Sequence, residues 1–134
     1  MDAQLMTRNA RYLEETVATA PPSKLLTLLY DRLVRDLEMG EKAIAAGARS
    51  EWVYNLDHAR EILTELLVTL DPTAGEVAGN LASIYSWMVS EIIGAAIHGD
   101  AARVGPIKAM AADLRTAWHD AAAQVSPSPD AFTG

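Results

Sequence analysis

Apolar residues return along this chain every three or four positions, in four separate runs. That period is the mark of a helix burying one face. The first run sets Leu26, Leu29, Tyr30, Leu33, Leu37 and Ile44 on one stripe. Pro21 or Pro22 suits its first turn, where the missing N–H has no helical partner, and Gly47 suits its C-terminal cap. Gly40 also falls on the stripe, which predicts a close helix–helix approach there. A second helix is expected from Glu51 to Leu70, capped by Ser50 and stopped by Asp71-Pro72. Its stripe is Trp52, Leu56, Ala59, Leu63, Leu66, Leu67 and Leu70.

The third run opens on Thr73-Ala74-Gly75-Glu76, the pattern of a capping box, with Thr73 as cap and Glu76 reaching back. Val77, Leu81, Tyr85, Met88, Ile92 and Ala95 form its stripe, Gly99 closes it, and Asp100 is placed to cap the next helix. The fourth run carries Ile107, Ala111, Leu114, Trp118 and Val125. Gly105-Pro106 leaves two starts open for it. A start at Ala101 puts Pro106 deep in the helix and predicts a kink; a start at Pro106 leaves a separate turn before it.

Four helices of roughly 20 residues with short connections predict an all-α fold, an antiparallel up-down four-helix bundle, over residues 21–125. Residues 1–20 hold Leu5, Met6, Tyr12, Leu13 and Val17 as apolar points in a polar segment. That pattern fits a short docking segment or a frayed terminus. Residues 126–134, SPSPDAFTG, read as a disordered tail.

The bundle leaves apolar residues over. Leu28 falls nearly opposite the core stripe of the first helix, Leu25 to its side, and Met39 in the sector of Leu28, with Arg32 and Arg35 between. In the third helix Gly79, Ser83, Ser86 and Ser90 make a strip of small residues off the core face, with Ile84 and Trp87 on the other side of the stripe. Small residues let another helix approach closely, so the excess predicts a helix-in-groove binding protein. A bundle that dimerises through the same surface is the simpler use of it.

Composition narrows the chemistry. The chain has 134 residues, a net charge of −7 and no cysteine, which excludes disulfides and thiolate chemistry. The acidic excess argues against nucleic acid, which needs a basic face. No apolar run approaches the ~20 residues of a membrane span, and the N-terminal residues show no signal-peptide pattern, so no membrane insertion and a cytoplasmic location are expected. No Glu-x-x-His pair, Walker loop, dinucleotide turn or nucleophile elbow occurs, so no metal, cofactor or catalysis is expected. One signalling alternative stands: a four-helix phosphotransfer module using His58, expected to be exposed, although Glu61 nearby would repel a phosphoryl group.

Several short pieces, in order, resemble the flagellin-specific export chaperones of the FliS type. Tyr12, Val17-Ala18-Thr19-Ala20-Pro21, Lys24-Leu25-Leu26 and Leu29-Tyr30-Asp31 are similar to the family's opening. Glu65-Leu66 and Leu70-Asp71 follow, then Gly75-Glu76-Val77-Ala78-Gly79-Asn80-Leu81 with Ile84-Tyr85, and finally Leu114-Arg115 with Ala117-Trp118. The chain departs from the pattern at Trp87, at Gly94-Ala95-Ala96 and at Gly105-Pro106. The resemblance implies a non-enzymatic chaperone. It would bind the disordered C-terminal segment of flagellin as a helix, prevent premature polymerisation, and deliver it to a component of the flagellar type III export gate. Leu25, Leu28, Met39, Gly79, Ser83, Ser86 and Trp87 are the candidate client contacts, and Leu5, Tyr12 and Leu13 a candidate self-docking gate. Asn80 fits either a client contact or a hydrogen bond inside the bundle.

Overall fold

The computed structural model describes residues 22–125. The expected docking segment, with Leu5, Tyr12 and Leu13, and the tail lie outside the described residues. The four helices are α1 (Pro22–Ala45), α2 (Arg49–Thr69), α3 (Glu76–His98) and α4 (Ala101–Val125), with a 3₁₀ turn at Pro72–Ala74 before α3. They form the antiparallel up-down bundle that the periodicity predicts. Helix α1 packs on α2 and α4, and α3 packs on the same two, so α1 and α3 stand on one diagonal.

Two helix ends are set by glycine. Gly47 (φ +68°) and Gly99 (φ +60°) both take the left-handed conformation. The Ala48 N–H then donates to the Ala43 carbonyl at 2.9 Å, and the Gly47 N–H to that of Ile44 at 3.0 Å. At the second end the Asp100 N–H donates to the Ala95 carbonyl at 3.1 Å. These bonds satisfy carbonyls that a helix end leaves unpaired.

Helix starts depart from expectation. Ser50 lies inside α2, and the N-cap is Ala48, which makes no side-chain cap. Thr73 does not cap α3. Its N–H and hydroxyl donate to Asp71 Oδ1 at 2.9 and 2.6 Å, so Asp71 caps the 3₁₀ turn, and Gly75 (φ +77°) leads into α3. A carboxylate two residues upstream outcompetes a capping box because it takes two donors at once. Asp100 does cap α4, accepting from the Ala102 N–H at 3.0 Å. Of the two starts open for α4, the helix begins at Ala101 and runs unbroken through Pro106. Pro106 and Ala102 are exposed, so water can reach the carbonyl that the proline leaves without a donor.

Val34, Ala43, Ile62, Ala78 and Val104 join the expected core, while the ends of the expected stripes, such as Leu26, Ile44, Leu70 and Trp118, are only partly buried against it. Val77 leaves it, 64% exposed, and its neighbour Ala78 takes the buried position in the first turn of α3. Gly40 does mark a close approach: a Cβ there would lie 2.7 Å from Leu56 Cδ2. At the centre, the hydroxyls of Tyr30 and Tyr85 share a short hydrogen bond across the α1–α3 diagonal. Both rings are fully buried, and burial raises both phenol pKa values above the ordinary tyrosine value, so both stay neutral.

Replacing one tyrosine strands the other hydroxyl in the core. Tyr30→Phe is expected to cost about 1–3 kcal/mol in urea unfolding, and Tyr30→Phe/Tyr85→Phe to cost less than the sum of the two single changes.

Candidate functional site

The apolar surface that the bundle does not cover is concentrated on α2 and α3. Val53, Tyr54 and Val68 on α2, and Trp87, Ile93 and Ile97 on α3, are all exposed. Helix α3 is by length and composition apolar enough to cross a membrane, a feature that the search for a long unbroken apolar run overlooks. Only 22% of its most apolar window is buried. Yet Tyr85, Met88 and Ile92 sit in the common core, and Glu91 faces Arg103 of α4 at 3.9 Å, which makes α3 a bundle helix with two apolar faces.

The outer face has a regular build. Gly79, Ser83, Ser86 and Ser90 are exposed, as expected. Continued at the same spacing, the strip reaches Ile93 and Ile97, also exposed. Small residues thus occupy its N-terminal half and isoleucines its C-terminal half. Beside Ile93 and Ile97 a groove opens between α2 and α3, lined by Val53, Asp57, Arg60, Ile92 and Ala96. The groove floor is pinned by Trp52, whose indole N–H donates to the Ala96 carbonyl at 3.0 Å while its ring packs against Gly99.

Gly79 carries information of its own. Its backbone is ordinary helix, and a Cβ there would meet nothing within 4 Å. Nothing inside the described protein requires glycine at this position, although glycine costs a helix about 1 kcal/mol relative to alanine. Ser83 donates its hydroxyl to the Gly79 carbonyl at 3.1 Å, so its donor is already satisfied if a partner covers it.

The structure divides the expected contact residues. Gly79, Ser83 and Ser86 share the α3 strip. Trp87 sits on the α3 flank toward α4, one turn before Glu91. Asn80 is exposed on the same helix and makes no side-chain hydrogen bond among the described residues, which favours the contact role over the internal one. Leu28 and Met39 are exposed, but on α1, across the diagonal. Leu25 is half-buried against the core. Ile93, Ile97, Val53 and Tyr54 were missed. Extending the small-residue register by two more steps finds both isoleucines.

His58 is not exposed as expected. Its side chain is 12% accessible, and Nδ1 shares a short hydrogen bond with the buried Asp36 carboxylate of α1. Arg32 Nε donates to the other Asp36 oxygen at 3.2 Å. An imidazole held in this way is a structural link between α1 and α2, not a phosphoryl acceptor. Below it Glu61 Oε1 is buried without a partner, and burial, then the charge of Asp57, raises the Glu61 pKa. Among the described residues no group of acidic or histidine side chains has the geometry of a metal site.

The described residues thus form a helical bundle with one helix apolar on both faces and a groove beside it. The family model for flagellar protein FliS matches residues 5–125, and the chain belongs to that family. It is 26% identical over 110 residues to the flagellar secretion chaperone FliS of Bacillus subtilis (strain 168), covering 82% of each chain. It is 28% identical over 123 residues to the protein of the same name from Salmonella typhimurium (strain LT2), covering 86% of this chain and 84% of that one. A solved structure described as a flagellar chaperone from bacteria shares the fold, with TM-score 0.73 at 19% identity over 89% of this chain and 98% of that chain.

Two helical glycines are expected to respond in opposite directions. Gly79→Ala should stabilise by up to about 1 kcal/mol, since the space is open. Gly40→Ala should destabilise by about 1–2 kcal/mol, since Leu56 must move. Thermal melts decide both.

Glu61→Gln should raise the melting temperature at neutral pH. A carboxyl whose pKa is raised on folding favours the fold while protonated, and that favour is lost as pH rises through its folded pKa. The gain from glutamine should therefore fade as the pH is lowered below the ordinary carboxylate range, in melts at a series of pH values.

Proposed function

We propose that this protein is a cytoplasmic, non-enzymatic export chaperone that binds the C-terminal segment of flagellin as a helix on the outer face of α3. It keeps that segment from polymerising early and hands it to the flagellar export gate. The observation that carries this reading is the α3 strip from Gly79 to Ile97, exposed along its length beside an apolar groove, in a chain of the FliS family. The glycine–serine half allows close helix approach, and Ile93, Ile97 and Val53 offer apolar anchors. A disordered client loses much conformational entropy on docking, so a long face is what useful affinity requires. Leu5, Tyr12 and Leu13 belong to this proposal as a segment that covers the same face when no client is present. The segments read from sequence, 1–20 for docking, 21–125 for the bundle and 126–134 for the tail, fit that division of labour.

Calorimetric titration with a peptide of the last ~40 residues of flagellin, long enough to span about 60 Å as helix, is expected to show 1:1 binding. Helical circular dichroism should rise and the heat-capacity change should be negative. Gly79→Trp and Ile93→Asp/Ile97→Asp should each weaken binding at least about tenfold, near 1.4 kcal/mol. Unaltered affinity in both would remove α3 from the site. Absence of binding by the unmodified protein would remove flagellin as the client.

A further inference from the structure

The outward face of α1 is built differently from every other exposed face. Lys24, Leu28, Arg32, Arg35, Met39 and Lys42 follow one another at steps of three and four, so they form one seam along the helix. All six are exposed. The protein as a whole carries −7, yet this seam holds four cations and no carboxylate. Glu38, exposed one turn from Arg35 and Lys42, borders the seam, while the other near acids are turned aside. Asp36 is buried against His58, and Asp31 lies toward α4, where it meets His119 at 3.2 Å and Arg115 at 4.0 Å. Arg35, Lys24 and Lys42 take part in no ion pair among the described residues. Arg32 is half-exposed and held by its bond to Asp36, so its guanidinium is already positioned and loses little freedom on binding.

We propose that this seam is a second docking surface, for an acidic amphipathic helix of a partner protein. Carboxylates at the matching three- and four-residue steps would face Arg32, Arg35 and Lys42. Two apolar side chains, about one and a half turns either side of the midpoint between Arg32 and Arg35, would cover Leu28 and Met39. The spacing favours a helix over a lipid surface, because a membrane-bound face needs a broad continuous apolar stripe and this seam has two separated apolar residues. The seam lies on the diagonal opposite α3. If α3 holds the client, both partners fit on one chaperone at the same time.

The test uses the full chain and a designed 21-residue helical peptide carrying Leu and Glu at the matched steps, with a control peptide carrying Lys for Glu. The Glu peptide is expected to bind 1:1. Its affinity should fall at least about tenfold between 50 and 500 mM NaCl, because ion pairs on an exposed face are screened. It should fall at least about tenfold again in Arg35→Glu/Lys42→Glu, a pair of surface positions whose change should leave the helical circular dichroism and the α3 peptide binding unaltered. Equal binding of the Glu and Lys peptides overturns the proposal, as does indifference to the double charge reversal. Binding to vesicles of phosphatidylcholine with anionic phosphatidylglycerol, lost in the double variant while the Glu peptide fails to bind, overturns it in favour of a lipid surface. Concentration-dependent dimerisation abolished by the same variant, without peptide binding, overturns it in favour of a second copy of the chain.

Discussion

Across the α1–α3 diagonal, where no backbone contact exists, the hydroxyls of Tyr30 and Tyr85 meet. A hydroxyl taken from water without a partner costs the fold several times what a satisfied bond contributes. Each tyrosine is therefore buried on the condition that the other is present, and the pair fixes how far apart the two helices stand. It also fixes the rotation of α3. With Tyr85 turned inward, the face opposite it must look outward, and in this sequence that face holds Gly79, Ser83, Ser86, Ser90, Ile93 and Ile97.

A helix apolar on two faces is a liability in a free protein and a requirement in one that binds helices. The way α3 manages it is informative. Four of the six residues of its outer strip are glycine or serine, which adds little apolar surface while leaving room for close approach. The isoleucines are confined to the end where Trp52 and Gly99 hold α2 and α3 together. The end of the face tied to α2 thus carries the large apolar residues, and the other end carries the space.

Periodicity made the four helices legible because each has a long stripe and a firm stop. Gly47, Gly99 and Asp100 act as read, since a left-handed glycine or an Asx cap is a local event. Two of the departures are a competition and a long-range event. Thr73 lost to Asp71, whose carboxylate takes two donors. His58 was assigned to solvent from the phase of its own helix alone, and its partner Asp36 belongs to another helix. No pattern within one helix reports such a pairing. The α3 strip is half legible, because its small residues stand out as a register and Ile93 and Ile97 fall on none of the expected stripes. The expected contact set mixed two surfaces, because a wheel drawn for each helix says nothing about which wheels adjoin.

The separation of those surfaces has a mechanical consequence. A straight client helix cannot touch Leu28 and Ile93 together, since α1 and α3 occupy opposite corners of the bundle. Any single helix must choose one face, and a ligand that uses both must wrap around α2 or α4. The two faces also differ in what they reward. The α3 strip has no cation along it, so a helix docked there would be chosen by shape and apolar area and would bind with little dependence on salt. The α1 seam has four cations and little apolar area, so it selects by charge. Two surfaces with different selection rules on one small bundle permit two ligands to be recognised without competing for the same residues.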